Sequence, residues 1–301
     1  MNDNNAIPAI QLDHLRYRYN SGDFMLNDIN LAFMEHELTA IIGQNGSGKT
    51  TMLKNISGLT RPSRGNILLR GRDTADMDLA DIAAEIGFVM QEPDRQLFES
   101  TVYDEVAFAL KHAPRGRKPA KNQIREKAEE ALSMVGLLDK RNDFPPALGR
   151  ADRVKTVFAA ILAMGPKIIM LDEPLAGQDK QGCRLIMDIL ANLHRQGYTI
   201  LIVTHNMNVI AEYAQRLVVM KDGGVFMDGK PREIFARTEE LAQAGILPPQ
   251  ITRLSQALRK RIPLENDALS PAELAAMLAE VSHKDHKGTK ITKGEKGGCC
   301  K

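Results

Sequence analysis

The sequence predicts an α/β protein: a mixed sheet with an antiparallel β subdomain, an inserted helical subdomain and a C-terminal helical extension. Three observations carry the prediction. Strand-like and helical patterns alternate through the middle of the chain, as they do when helices flank a sheet. The runs "KIIML" and "TILIV" are solidly apolar, as strands covered on both faces are. The stretch "GQNGSGKT", Gly43 to Thr50, lies between the strand-like "LTAII" and the helical "TMLKNISGL" and fits the phosphate-loop pattern G-x-x-x-x-G-K-[ST].

The elements follow in order. "IQLDHLRYRY" alternates like a half-exposed strand, and "INLAFM", "LTAIIG", "NILLRG" and "IGFVMQ" add further strands. Between Glu92 and Gly165 helical signals take over, interrupted by the Pro, Gly and basic stretch "APRGRKPAK", which predicts a helical insertion over about 92–165. "KIIMLDE", "TILIVTH" and "RLVVMKDGGVFMDG" then complete the sheet, with the first two at its centre. The domain so built spans 1–235. A helical extension covers 236–282, where Ser270 before Pro271 has the chemistry of an N-cap. The Lys- and Gly-rich tail at 283–301 has almost no apolar content and is expected to be disordered.

Composition excludes several classes. The 301 residues are 43% apolar and 26% charged, ordinary for a globular protein with a sizeable core. The longest uninterrupted apolar run, Val157 to Met164, is far short of the roughly 18–20 residues a bilayer span needs. The start "MNDNNAIPAI" lacks the basic flank and apolar stretch of a secretory signal, so the cytoplasm is expected. The net charge is +2, but the basic tail accounts for it and leaves about −2 on residues 1–282, which argues against nucleic acid as a partner. Cys183 lies in a helical pattern and Cys299 and Cys300 are adjacent, so no disulfide framework is implied.

Chemistry concentrates at loop and strand ends. Gly43, Gly46 and Gly48 let backbone amides turn toward phosphate oxygens, and the helix N-terminus adds partial positive charge. Lys49 reaches the outer phosphates and the Thr50 hydroxyl can ligate Mg²⁺; Gln44, Asn45, Ser47 and Thr51 complete the candidate ATP-binding set. "IIMLDEP" ends a buried strand in Asp172, suited to Mg²⁺, and Glu173, suited to orienting or deprotonating an attacking water. "IVTHN" ends another strand in His205, a donor for a γ-phosphate.

Taken together, Gly43 to Thr50, Gln91 after "IGFVM", "LDEP" with "LAGQD" following, and "VTH" resemble the nucleotide-binding subunit of ABC transporters over about residues 8–282. The resemblance implies a P-loop NTPase of the ABC ATPase type that binds ATP and Mg²⁺. It implies that Tyr19 stacks on adenine, with a packed strand aromatic as the alternative. It further implies that Gln91 senses Mg²⁺ and couples to a membrane subunit, that Asp179 reaches across a dimer, and that His205 is the γ-phosphate switch. "QEPDRQLFESTVYDEVAFAL" and "AGILPPQITRLSQALR" look like ATPase subunits of energy-coupling-factor uptake systems for cobalt, nickel or vitamins. In that family the segment after Gln91 receives a helix of the membrane subunit. Leu97 and Phe98 are apolar among polar neighbours, either as that anchor or as packing for their own helices.

One stretch departs from the family. Where the signature L-S-G-G-Q stands, this chain has Leu148, Gly149, Arg150, Ala151 and Asp152. Gly149 removes a hydroxyl donor and Asp152 is expected to bring a carboxylate toward anionic territory. Arg150 either supplies a phosphate partner in place of the missing donor or is a solvated helix-start charge. The expected function is an ATPase, homo- or heterodimeric, on the cytoplasmic face of the membrane, which energises micronutrient uptake. A soluble non-transport ABC ATPase and a regulatory nucleotide-binding module with weak turnover are the alternatives. His283, His286, Cys299 and Cys300 are of metal-ligand type, but their spacing matches no closed site.

Overall fold

The computed structural model describes residues 7–19, 22, 24–113 and 118–288. Among the described residues ten strands form two sheets. A four-stranded antiparallel sheet has the order β2 (Phe24–Phe33), β1 (Ile10–Arg18), β4 (Arg64–Leu69) and β5 (Arg72–Asp73). A six-stranded sheet has the order β10 (Gly224–Gly229), β9 (Arg216–Lys221), β3 (Leu38–Ile42), β8 (Thr199–Val203), β7 (Ile168–Asp172) and β6 (Ile86–Val89). Its strands run parallel except for β10, which pairs antiparallel with β9 at the edge.

Every residue of β3, β7 and β8 is buried, and the reason is visible in the packing. Successive side chains point to opposite faces, and both faces are covered. Ile41, Met170, Leu201 and Val203 pack toward the antiparallel sheet and α1 (Lys49–Ile56). Ala40, Ile42, Ile169, Leu171, Ile200 and Ile202 pack the other way, among helices. Those helices include α6 (Lys180–Arg195), and α3 (Val102–Lys111), α4 (Ile124–Met134) and α5 (Arg150–Ala163), which pack on one another as a separate layer. Phe158 of α5 is fully buried there; truncating such a side chain to Ala typically costs about 3–5 kcal/mol. The short α2 (Leu79–Glu85) precedes β6, and α7 (Met207–Tyr213) links β8 to β9.

After β10 come α8 (Pro231–Ala236), α9 (Thr238–Gln243), α10 (Gln250–Arg259) and α11 (Pro271–Gly288). The Ser270 hydroxyl accepts a hydrogen bond from the Glu273 amide at 3.2 Å, the expected N-cap. The expectation of disorder from 283 onward needs correction. α11 continues to Gly288, because extending a nucleated helix fixes one residue per added bond and needs no apolar face. Cys299, Cys300 and the rest of the tail lie outside the described residues. Among the described residues no helix is long and apolar enough to cross a membrane.

Candidate active site

At the carboxyl ends of β3, β7 and β8 a cleft of about 670 Å³ opens, where ligands bind in parallel sheets. Tyr19, Asn45, Gly46, Gly48, Lys49, Thr50, Thr51, Gln91, Glu173 and His205 line it, as do Met25, Ala176 and Val203. The phosphate loop needs its glycines for different reasons. Gly43 has no room, since a Cβ there would stand 2.4 Å from the Met220 carbonyl oxygen. Gly46, at φ +83°, faces open space, so its backbone is bare on the side of the cleft. Gly48, at φ +100°, caps α1 without any side-chain hydrogen bond, leaving the helix N-terminus to whatever occupies the cleft.

Lys49 is buried beneath the loop. Its Nζ donates to the carbonyls of Gly43 (2.7 Å) and Gln44 (2.9 Å), which arch the loop around the ammonium. Burial lowers its pKa, an effect that Glu173 and Asp172 oppose. Asp172, 2% exposed at the end of β7, has its pKa raised by burial against a hydrogen bond from the Thr50 side chain. Its Oδ1 is buried with no hydrogen-bond partner among the described residues. Glu173 occupies a left-handed backbone conformation, φ +52°, and its amide donates to the Val203 carbonyl at 2.9 Å. A non-glycine residue held there stores strain of about 1–3 kcal/mol, which the strand pairing sustains. Burial, then the neighbouring Asp172, push the Glu173 carboxyl up to about 7.

His205 Nε2 stands 2.8 Å from Glu173 Oε1, at ion-pair distance but without the alignment of a hydrogen bond. Burial and the positive Lys49 lower the His205 pKa, an effect that Asp172 opposes. Tyr19 stands at the rim, half exposed, its ring edge-on to Tyr17 and its hydroxyl 3.4 Å from Thr51 Oγ1. Met25 was missed by sequence reasoning, which had no signal for a Met at the start of a strand returning to the cleft.

At three expected positions the side chains meet residues of this chain. The Gln44 side chain does not line the cleft; it lies on Gly245 of the extension, where a Cβ would stand 1.6 Å from its Nε2, so only its backbone serves the loop. Gly149 and Arg150, expected to face the nucleotide of a second subunit, lie away from this chain's own cleft: Gly149 caps α5 with extended backbone, and the Arg150 guanidinium lies over Gly177 of the same chain, with its Nε buried. Asp152 turns to its own chain. Lys140 (2.6 Å) and Lys155 (3.0 Å) hold its carboxylate, and they outweigh burial to keep its pKa below the usual range.

Asp179 N-caps α6, its Oδ1 accepting from the Gly182 amide at 2.6 Å. Leu97 and Phe98 part company: Leu97 packs partly into the helical core, while Phe98 is 65% exposed. Beside the cleft, a second hollow of about 580 Å³ runs from Glu173 and His205 to Leu247, Pro248, Gln250 and Arg253 of the extension.

Comparison with known proteins agrees with this geometry. A family profile described as ABC transporter matches residues 26–176. An energy-coupling factor transporter ATP-binding protein, EcfA2, from Caldanaerobacter subterraneus subsp. tengcongensis is 37% identical, over 88% of this chain and 94% of that protein. The structure of cbiO1 from Clostridium perfringens, described as part of the ABC transporter complex cbiONQ, superposes with a TM-score of 0.71 at 31% identity, covering 84% of this chain and 99% of that one. A dimeric ATP-binding cassette in a post-hydrolysis state, bound to ADP and Pi, superposes with a TM-score of 0.66 at 30% identity, covering 74% of this chain and 99% of that one. Against curated relatives named as ABC transporter ATP-binding proteins, at 37–39% identity, the chain spans only 41–43% of their length.

Proposed function

The chain belongs to the ABC transporter family, among its energy-coupling-factor ATP-binding subunits, and from that premise we propose that it hydrolyses ATP to ADP and phosphate to power uptake of a micronutrient, a cobalt or nickel ion or a vitamin. The observation that carries the proposal is the convergence of Lys49, Thr50, Glu173 and His205 on one cleft from three separate segments of the chain, with Asp172 held against the Thr50 side chain.

The catalysis proposed is positioning and electrostatics. Loop amides around Gly46 and the N-terminus of α1 receive the phosphates, Lys49 adds its charge, and Tyr19 offers its ring to the base. The orphaned Asp172 Oδ1 beside the Thr50 hydroxyl is an oxygen-only donor set that fits Mg²⁺. Thr50 and Asp172 would hold the ion with Gln91 at the rim, and when bound it neutralises phosphate charge. Glu173 accepts a hydrogen bond from the attacking water and aims it, while His205 contacts the terminal phosphate.

The partners proposed are a second ATPase subunit across the cleft mouth, the same chain or a different one, and a membrane subunit docking near Gln91, Leu97 and Phe98. The protein then works as a peripheral subunit on the cytoplasmic face of the membrane. A regulatory module with weak turnover is favoured by one observation, the commitment of Arg150 to Gly177 in its own chain.

The test is phosphate release from ATP and Mg²⁺ by the full chain assembled with its membrane subunit, beside Lys49→Ala. Equal release by the two would remove the ATPase assignment. Uptake of labelled cobalt, nickel and vitamins into vesicles bearing the complex tests the cargo, and no ATP-dependent uptake of any would sink the micronutrient reading.

A further inference from the structure

Glu105 is an acid buried to 4% exposure in the first turn of α3, not among the residues that line the cleft and unused by the mechanism above. Burying a carboxylate is costly unless its oxygens are satisfied. Here Oε1 accepts from the amides of Phe98 (2.5 Å) and Glu99 (2.6 Å), both outside its own helix.

A capping role for α3 does not account for it. The first four amides of α3 already have acceptors: Val102 donates to the Asp143 carbonyl (3.0 Å), Tyr103 to that of Arg141 (2.8 Å), Asp104 to Thr101 Oγ1 (3.0 Å) and Glu105 to the Thr101 carbonyl (3.1 Å). The Glu105 carboxylate is surplus to the helix and serves the loop before it.

That loop joins two things of consequence. Its start carries Gln91, in the cleft. Its end carries Phe98, which lies edge-on to Phe108 with ring centroids 4.8 Å apart, and Phe108 in turn stacks on His112 at 4.0 Å. An exposed aromatic ledge thus stands at the end of a segment that begins at the cleft. At the near end a second side chain pins the segment: Gln96 Oε1 accepts from the Met90 amide (2.9 Å), and its Nε2 donates to the Phe88 carbonyl (3.3 Å).

We infer that Glu105 is a positioning residue which, by holding the Phe98 and Glu99 amides, presents Phe98 to an apolar helical segment of the membrane subunit. The inference rests on the docking reading proposed above. Without the carboxylate two amides lose their acceptor, the end of the loop loosens, and the aromatic ledge is no longer preformed; ordering it then falls on the binding step.

The test uses the full chain with Glu105→Leu, Glu105→Asp, Glu105→Gln and Phe98→Ala. Three quantities are measured: amide hydrogen exchange, ATPase rate without the membrane subunit, and affinity for that subunit reconstituted in lipid nanodiscs. Leu removes the oxygen that accepts from both amides; Asp keeps the charge but is one methylene too short, and it carries the test where the Leu variant fails to fold. Either should speed exchange over residues 97–99 by about tenfold, the loss of about one net hydrogen bond, and weaken docking by a similar factor. Exchange in β7 and the ATPase rate of the isolated chain should not move. Gln should restore both readouts, since its amide oxygen still accepts two N–H groups. In the Phe98→Ala background the Leu or Asp change should cost no further docking, because Glu105 acts through Phe98. Unchanged exchange at 97–99, or losses that simply add in the double variant, would overturn the inference. A Phe98→Ala chain that docks normally would overturn the docking reading itself, and the inference with it.

Discussion

The loop from Gly43 to Thr50 and the segment from Leu148 to Asp152 both open a helix, and they differ in what they leave free. α1 begins at Gly48 with no side-chain cap and with bare backbone at Gly46, so its donors and partial charge face the cleft. α5 begins at Gly149, also without a side-chain cap, but its charged side chains are already engaged, Arg150 over Gly177 and Asp152 with Lys140 and Lys155. One helix start is built to receive an anion; the other is closed upon its own chain. The comparison teaches that one helix start leaves its backbone donors open to the cleft, whereas the side chains at the other are spent within the chain.

The largest effect that can test this is at the equipped end. Glu173→Gln should leave ATP binding intact, because the loop and Lys49 are untouched, and lower phosphate release by about 10²–10⁴-fold, the usual worth of a positioned base. Measured in the assembled complex, near-normal turnover would show that the cleft is equipped for binding only, and the contrast between the two helix starts would lose its catalytic meaning.

How much of this was legible before the fold is itself uneven. The equipped end was readable because its residues lie in short contiguous motifs at strand ends, where backbone geometry dictates direction: Lys49, Glu173 and His205 line one cleft, and Asp172 lies against Thr50. The closed end was not. Arg150 and Asp152 have long or rotatable side chains whose partners, Gly177 and Lys140, lie a dozen or more residues away, and no local pattern tells a side chain which of its neighbours in space it meets. Gln44 is a sharper case, since its side chain leaves an otherwise predictable loop to lie on Gly245 in the extension, some two hundred residues on. Leu97 and Phe98 are adjacent and equally apolar, yet one packs and the other is exposed. The parallel sheet was legible for the opposite reason, as burial on both faces imposes a run of apolar residues that needs no partner to be recognised.

A smaller effect sharpens the comparison from the closed end. A Cβ at Gly149 would meet nothing within 4 Å, and its backbone is extended, so Ser fits there and is the better N-cap by a few tenths of a kcal/mol. If the chain pairs with itself, Gly149→Ser should raise ATPase turnover about tenfold, one hydroxyl donor to a phosphate being worth about 1.4 kcal/mol or more at the transition state. In a complex with a different ATPase subunit, only the site that this helix closes should respond, visible as a changed ratio of fast to slow phosphate release. An unaltered rate in both assemblies would mean that amides and helix dipole suffice at this end.

Gly177→Ala probes the Arg150 contact by geometry alone. Gly177 sits at φ +68°, and a Cβ there would come within 3.2–3.5 Å of the Arg150 side chain. The substitution should destabilise the fold by about 1–2 kcal/mol from backbone strain. Arg150→Ala in the same background should recover the part due to crowding and leave the strain. Chemical denaturation of the three variants separates the two contributions, and purely additive losses would show that Arg150 does not rest on Gly177.

The smallest expected effect decides where the Asp152 carboxylate points. Its folded pKa is held below the ordinary carboxylate value, so the pair contributes stability that is fully present above that ordinary value and is lost as pH falls through the folded one. Asp152→Asn should therefore cost up to about 1 kcal/mol at pH 7, discounted because Lys140 is half exposed, and the gap from the parent chain should close toward pH 3. Thermal melts at the two pH values check the sign: a gap that widens on acidification contradicts a depressed pKa. The functional arm is sharper than the stability arm. A carboxylate aimed at a neighbouring subunit's phosphates would repel them, so neutralising it would raise ATP affinity or turnover in the complex. With the carboxylate turned to Lys140 and Lys155, as the structure has it, both should stay unchanged, and an Asn variant that binds ATP more tightly would reopen this end of the molecule as an electrostatic brake on the cleft across from it.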